Sequence, residues 1–139
     1  MSSSHQLYVL DAFAMLAVFR AEPGAQRMRQ VVEQASLGQC SLLMTVVNAA
    51  EVYYRTAKEF DFDRADRVDV RLHSYAIDFV PVEEPLAREA GRIKALHPIS
   101  YADCLVAALA QRSGAKILTG DRDFERFEGQ IAVEWLPLP

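Results

Sequence analysis

Four acidic residues of this chain lie in apolar surroundings, where an ionised carboxylate is costly unless a cation or a hydrogen-bond donor meets it. They are Asp11, Glu51, Asp103 and Asp121. Glu51, for example, follows seventeen consecutive residues that carry no formal charge. A fold that brought all four together around a divalent metal ion would explain their common placement.

Composition indicates one folded domain that spans residues 1–139, with residues 1–6 expected to form an N-terminal tail. Apolar residues make up 51% and charged residues 24%, which are ordinary values for a globular domain and argue against disorder. The net charge of −4 argues against a strongly basic nucleic-acid-binding protein. A bound metal ion would weaken that argument, because it would neutralise several of the acidic residues.

Neither the cysteines nor the apolar N-terminal stretch suggests an extracytoplasmic protein. Cys40 and Cys104 lack the repeated spacing of a zinc site, and we expect buried thiols in a reducing cytosol. The apolar stretch 7–19 is interrupted by Asp11, has no Lys or Arg before it and is too short to span a bilayer. These features predict a cytoplasmic protein with no membrane partner.

Strand-like and helix-like segments alternate along the chain. The pattern predicts strands at 7–10, 41–45, 77–82, 116–119 and 131–136. It predicts helices from 11 to about 20, over 25–37, from the second strand to about 60, from 61 or 63 to about 75, and over 85–96 and 100–112. Strands joined through helices of this length are typical of an α/β fold with a mainly parallel central sheet, here of about five strands.

This topology would gather the four acidic residues at one edge of the sheet. Asp11 and Asp121 follow predicted strands, whereas Glu51 and Asp103 fall in the early turns of predicted helices. Crossover helices run antiparallel to the strands, so helix N-termini lie at the carboxyl edge of the sheet, where such folds place their sites.

Each acidic residue also has a structural explanation. Asp11 could be a helix N-cap, and Ser100-x-x-Asp103 matches a capping box. Glu51 could pair with Arg55 on an exposed helix face, and Asp121 and Asp123 could be turn residues.

Two helix faces argue against those structural explanations. Asp103 shares its face with Val106, Ala107 and Ala110, a stripe expected to point inward. The Glu51 face carries apolar neighbours and is predicted to be buried as well. Those neighbours are Val47, Ala50 and Tyr54.

The order of these motifs resembles the PIN-domain family, in particular VapC-like toxins of toxin–antitoxin pairs. Leu10-Asp11 closes the first strand, and Thr45 precedes Glu51 by six residues. The segments 97–103 and 118–124, His-Pro-Ile-Ser-Tyr-Ala-Asp and Leu-Thr-Gly-Asp-Arg-Asp-Phe, are the more specific matches. The resemblance covers residues 7–136, with the minor departure that no proline precedes Thr45.

The resemblance implies a three-layer α/β/α fold and an endoribonuclease that depends on Mg²⁺ or Mn²⁺. It carries the role of metal ligand to Asp11, Glu51, Asp103 and Asp121, which would be the catalytic residues. Asp123 matches a less regular acidic position, as a water-mediated ligand or a substitute for Asp121, and Thr119 matches a supporting hydroxyl. The implied partners are an RNA substrate, a cognate VapB-like antitoxin and a second copy of the chain.

Substrate phosphates require cations away from the acidic residues. Candidates near the predicted site are Arg20, Arg55, Lys58 and Arg122. His97 is also near the site in sequence, and we interpret it as a loop or capping residue rather than a general base.

Other functions fit less well or differ in substrate. A haloacid-dehalogenase-type phosphatase would need an Asp where Phe13 stands, and a receiver domain would need a Lys after Thr119, whereas Lys116 precedes it. Two alternatives stay open: a PIN-like nuclease that acts on DNA or structured nucleic acid, and a catalytically inactive module that binds a partner.

Overall fold

A computed structural model describes residues 5–139 and has the predicted alternation of strands and helices. The strands are β1 (Gln6–Leu10), β2 (Cys40–Thr45), β3 (Ile77–Val80), β4 (Lys116–Thr119) and β5 (Val133–Trp135). The helices are α1 (Ala12–Phe19), α2 (Ala25–Ser36), α3 (Val46–Glu59), α4 (Phe62–Ser74), α5 (Glu84–Leu96) and α6 (Tyr101–Ser113), with a 3₁₀ helix over Arg122–Phe127.

The five strands form one parallel sheet in the order β3-β2-β1-β4-β5. The chain builds outward from β1 through β2 to β3, then returns to place β4 on the other side of β1. This reversal puts the topological switch point between β1 and β4, where Leu10 is paired with Leu118. Ligand sites of open α/β sheets lie outside the carboxyl ends of the strands at such a point.

Helices cover both faces of the sheet, which confirms the predicted three-layer α/β/α arrangement. On one face, Tyr8 and Leu10 of β1 pack with the core that α1 to α4 supply. On the other face, Val9 of β1 and Ile117 of β4 pack with α5 and α6. Successive residues of β1 therefore point to opposite cores, as the side-chain alternation of a strand requires.

Helix α6 lies deepest in the protein. Every residue from 104 to 110 is buried, including Cys104, and Cys40 is buried as a free thiol too. The helix ends at Gly114, whose φ of 65° gives a left-handed C-terminal cap that glycine adopts readily. Within residues 5–139, no single helix is long and apolar enough to cross a membrane, and only α5 and α6, bent by 117°, would meet that test as a pair.

The observed boundaries differ from prediction where strand pairing ends. Strand β3 stops at Val80 because its partner β2 ends opposite at Thr45, and β5 stops at Trp135 opposite Thr119. The 3₁₀ helix was not predicted; its Phe124 and Phe127 are buried. Of the expected N-terminal tail, residues 1–4 lie outside the described part, and Gln6 already belongs to β1.

The burial of α6 leads to a stability prediction. Leu105 is fully buried, so Leu105→Ala should lower the free energy of unfolding by about 2–5 kcal/mol through lost burial and a cavity. Leu96 at the end of α5 is 79% exposed, and Leu96→Ala should change stability by less than about 0.5 kcal/mol. Urea denaturation of both variants measures this difference, and equal losses would contradict the assignment of α6 to the core.

Candidate active site

The carboxyl edge of the sheet gathers acidic side chains at the switch point. Asp11 directly follows β1, and Asp121 follows β4 after one intervening residue. Asp103 lies in the first turn of α6. These three residues each offer a carboxylate oxygen, and the three oxygens lie within 4.8 Å of one another.

Asp11 is the most deeply buried member of this group, with 2% of its surface exposed. One carboxylate oxygen accepts a hydrogen bond from the Ala14 N–H at 2.9 Å, so Asp11 is also the N-cap of α1. The other oxygen accepts a hydrogen bond from the Thr119 hydroxyl. The Thr119 oxygen in turn accepts a bond from the Asp121 N–H at 2.9 Å, so Thr119 links two of the three acidic residues.

Asp103 is positioned by the start of α6. The Ser100 hydroxyl caps the helix by accepting a hydrogen bond from the Asp103 N–H at 3.1 Å. Val106, Ala107 and Ala110 are buried, which confirms the inward-facing stripe predicted for this helix. The capping role and the place in the acidic group therefore coexist at Asp103.

Glu51 lines the same cleft but is held differently. Its carboxylate pairs with Arg55 at 3.1 Å, and 15% of its side chain is exposed, against 52% for Arg55. The prediction that Val47, Ala50 and Tyr54 form a buried face was wrong, since all three are exposed. This part of α3 borders the open cleft, and the core is packed by the opposite side of the helix.

Asp123 lies at the exposed rim of the acidic cleft. Its side chain is exposed, and its backbone N–H donates a hydrogen bond to the Asp121 carboxylate at 2.9 Å. This bond caps the 3₁₀ helix and fixes the orientation of Asp121, which is the turn role that the sequence left open for this pair.

The acidic cleft has a volume of about 290 Å³. Its lining residues are Asp11, Ala12, Phe13, Glu51, Tyr54, Arg55, Ser100, Ala102, Asp103, Asp121 and Asp123. A larger groove of about 570 Å³ lies between α1, α2 and α4, but its lining, which includes Val18, Phe19 and Val32, is mainly apolar. We take the smaller cleft as the candidate active site because the clustered carboxylates lie there.

Burial raises the pKa values of Asp11, Glu51 and Asp103. It raises the pKa of Asp11 to about 7, although the hydrogen bonds from Thr119 and Ala14 act in the opposite direction. Burial, followed by the nearby Asp121 charge, raises the pKa of Asp103 to about 7 as well. The pKa of Glu51 is also raised by burial, against the lowering effect of Arg55. The metal-free cleft therefore favours partial protonation near neutral pH.

The four cationic side chains proposed to bind substrate phosphates differ in whether they line the cleft. Arg55 lines the cleft, whereas Arg20 is engaged with Glu59 at 2.6 Å. Lys58 lies 5.8 Å from the centre of the Tyr54 ring. The Arg122 guanidinium lies 4.5 Å from the centre of the Trp135 ring.

Asn48 is a supporting residue that the sequence analysis missed. It is fully buried, accepts a hydrogen bond from the Thr45 hydroxyl and donates one to the Ala102 carbonyl at 3.3 Å. It therefore ties the start of α3 to the first turn of α6, beside Asp103. The available signal was a polar residue three positions after Thr45 in an otherwise apolar segment.

Gly120 is a second missed residue. A Cβ atom at this position would lie 2.3 and 2.5 Å from ring carbons of Phe13. The absence of a side chain lets the Phe13 ring pack against the turn that carries Asp121.

A comparison with protein-family models agrees with this geometry. The family model described as PIN domain matches residues 8–130. The chain belongs to the PIN domain family. Ribonuclease VapC30 of Mycobacterium tuberculosis is 28% identical to this PIN domain over 136 residues, which cover 93% of this chain and 99% of the relative.

Solved structures share the fold of this PIN domain. VapBC2 from Rickettsia felis, bound to a DNA fragment from its promoter, matches with a TM-score of 0.74 and 14% identity, covering 95% of this chain and 100% of the other. VapC20 from Mycobacterium tuberculosis, described as a toxin that cleaves the sarcin–ricin loop, matches with a TM-score of 0.72 and 14% identity, covering 86% and 93%.

The Gly120 contact predicts a specific steric effect. Gly120→Ala should lower the free energy of unfolding by about 1–3 kcal/mol, because the new methyl group overlaps the Phe13 ring. Adding Phe13→Leu should recover part of that loss, which a double-mutant cycle from urea denaturation measures. Gly91→Ala is the matched control: with open space around its Cβ in α5, it should stabilise the protein by about 0.5–1 kcal/mol. Additive losses at Gly120 and Phe13 would contradict the proposed contact.

The raised pKa values predict a pH dependence of stability in EDTA. Between about pH 4 and about pH 7, folded Asp11 and Asp103 keep protons that the unfolded chain has lost, so their contribution to stability is present at low pH and disappears as pH rises through about 7. The Tm of the metal-free protein should therefore fall between about pH 4 and about pH 7 and level off above that range.

Matched variants isolate this effect. Asp11→Asn should flatten the fall in Tm, whereas Asp63→Asn, at a side chain that is 81% exposed, should leave it unchanged. Mg²⁺ added near neutral pH should raise Tm and release protons, because the ion replaces them at the carboxylates. A wild-type Tm that does not fall across this range would contradict the prediction.

Proposed function

We propose that this PIN domain is a metal-dependent endoribonuclease that hydrolyses RNA phosphodiester bonds as the toxin of a VapBC-like toxin–antitoxin pair. The observation that carries the proposal is the group of three carboxylates within 4.8 Å at the switch point of the sheet. Two similar proteins support it: VapC30 is named a ribonuclease, and VapC20 is described as cleaving the sarcin–ricin loop.

The side chains of the cleft fit a hard divalent cation, because the donor atoms that converge there are carboxylate oxygens. We assign Asp11, Asp103 and Asp121 as metal ligands, with Glu51 able to join from the cleft wall and Asp123 acting through a water molecule. Mg²⁺ and Mn²⁺ both suit such ligands. When bound, the ion would polarise a phosphoryl oxygen and lower the pKa of a water molecule.

The protein's own residues would supply orientation. Thr119 holds Asp11 and the backbone of Asp121 together, and Ser100 fixes the turn that carries Asp103. Asp11 and Asp103 also lie at the N-terminal ends of α1 and α6, where the helix dipole favours negative charge. These contacts lower the cost of holding three carboxylates together, so a cation would find its ligands already arranged.

A toxin role implies protein partners as well as RNA. We propose a small VapB-like antitoxin that blocks the acidic cleft, and a homodimer of this single-domain chain in the cytoplasm. The support for the antitoxin is that similar solved structures are VapBC complexes from Rickettsia felis and Salmonella typhimurium. An arginine of the antitoxin would complement the acidic residues of the cleft.

Cleavage of DNA is the second candidate, since carboxylates and a metal ion act on phosphodiesters of either nucleic acid. An inactive partner-binding module is the third, but the complete acidic set at the cleft argues against it. Parallel assays on single-stranded RNA, structured RNA and DNA separate these functions.

The proposal predicts complete dependence on the acidic group. Wild-type protein should cleave RNA in Mg²⁺ or Mn²⁺ and lose activity in EDTA. Asp11→Asn and Asp103→Asn should each reduce the cleavage rate by about 100-fold or more, because lost ligands weaken a metal contribution of several kcal/mol. Asp63→Asn, at an exposed position on α4, should retain wild-type activity.

Sequencing of RNA ends after controlled expression would identify the cleavage site and provide a defined substrate. Equal activity of wild type and both acidic-site variants would refute the nuclease assignment. Cleavage of DNA in preference to RNA would replace the proposed substrate and leave the metal chemistry in place.

A further inference from the structure

An exposed aromatic ring stands on the wall of the acidic cleft. Tyr54 is 49% exposed and lines the cleft together with Glu51, which lies one helical turn before it on α3. Single exposed apolar residues are common on protein surfaces and require no explanation by themselves. Tyr54 differs because it lines the cleft that holds the carboxylates at which a phosphodiester would be cut.

Helix α3 carries an acidic, an aromatic and a basic side chain in succession along one face. Glu51, Tyr54 and Lys58 are separated by three and four residues, so they follow one another along one face of the helix. Lys58 lies about 10 Å beyond Glu51 along the helix axis, at a rise of about 1.5 Å per residue. The face therefore runs from a carboxylate at the metal ligands to an aromatic ring and then to an ammonium group.

The Lys58 contact leaves the ring available. Its ammonium nitrogen lies 5.8 Å from the centre of the Tyr54 ring, near the outer limit for a cation–π contact. The contact is therefore weak, and a flexible lysine can leave it to meet a phosphate. Among the salt bridges of residues 5–139, none involves Lys58, whereas Arg20 on the neighbouring surface is paired with Glu59.

The other aromatic side chains nearby are poorly placed to contact a substrate in the cleft. Phe13 also lines the cleft, but its ring packs against Gly120 and the core on the α1 side. Phe62 is 71% exposed, yet it lies on α4 and does not line the cleft. Within the described residues, Tyr54 is thus the aromatic residue that combines exposure with a place in the cleft wall.

We propose that Tyr54 is a stacking platform for a nucleobase next to the scissile phosphate, and that Lys58 holds the phosphate that follows that base. This inference rests on the proposed ribonuclease function and deepens it. Unstacked bases of single-stranded segments and loops bind to aromatic rings, and such stacking tolerates any base because every base has a flat face. The platform therefore positions the strand and leaves sequence choice to other contacts.

The test uses full-length protein and an oligoribonucleotide that spans the cleavage site identified from the RNA ends. Tyr54→Leu should raise KM by about 5- to 50-fold, because the stacking surface is lost, with little change in kcat. Tyr54→Phe keeps the ring and should stay close to wild type. Phe62→Leu is the matched control, an exposed aromatic residue outside the cleft, and should leave KM unchanged.

A series of substrates with one base removed at successive positions then identifies the partner of the ring. At a single position beside the cleaved bond, removal of the base should raise KM for wild type and leave KM for Tyr54→Leu unchanged. Lys58→Gln should raise KM on all of these substrates and reduce the dependence of KM on salt concentration. Thermal unfolding of each variant shows whether folding is retained.

The experiments distinguish failure of the proposed function from failure of the stacking platform. If wild-type protein cleaves no RNA, the proposed function itself is wrong. If wild-type protein cleaves RNA but Tyr54→Leu matches Phe62→Leu, or base removal raises KM equally for wild type and Tyr54→Leu at every position, the stacking platform is refuted and the nuclease assignment remains.

Discussion

The Asp11 carboxylate is almost completely buried at the end of β1, and the contacts around it determine how the site can work. Its oxygens accept hydrogen bonds from the Ala14 N–H and the Thr119 hydroxyl, which favour the charged form. Burial and the neighbouring Asp103 and Asp121 charges favour the protonated form, and burial is the largest of these effects. The two hydrogen bonds do not offset this cost, so burial raises the pKa of Asp11 to about 7, and a proton or a bound cation would stabilise the carboxylate.

The strand order makes this arrangement possible. Thr119 and Asp11 are separated by 108 residues, yet β1 and β4 are direct neighbours in the sheet. Consequently one threonine hydroxyl connects the ends of both strands and also accepts the Asp121 N–H. Gly120 allows the turn after β4 to approach Phe13, which a side chain at this position would prevent. Asp11 and Asp121 are thus positioned by backbone turns at strand ends and Asp103 by the first turn of α6, which are more rigid supports than long loops.

The parts of this site that depend on local pattern were predictable from sequence. Asp11 and Asp103 follow from the limits of apolar segments, because those limits determine where strands end and where helices begin. The sequence shows Asn48 only as a polar residue in an apolar segment, and its tie to α6 was not predictable because the bond to the Ala102 carbonyl joins residues 54 positions apart. The exposed face of α3 was predicted wrongly for a related reason. Apolar residues such as Val47 and Tyr54 look like core in a helical pattern, and only the tertiary structure shows that both are exposed and that Tyr54 lines the cleft.

The ion pair between Arg55 and Glu51 raises the question of whether Glu51 is free to bind a metal ion. Arg55 is half exposed, and an i,i+4 pair of this kind contributes only about 0.2–0.5 kcal/mol. A bound divalent cation would attract the Glu51 carboxylate by direct contact and with twice the charge of Arg55, although the aspartates beside the ion would offset part of that attraction. The weak pair with Arg55 would therefore not prevent Glu51 from joining such an ion. Burial raises the pKa of Glu51 above its ordinary value, and the charge of Arg55 offsets part of that rise while leaving the carboxylate at the cleft wall.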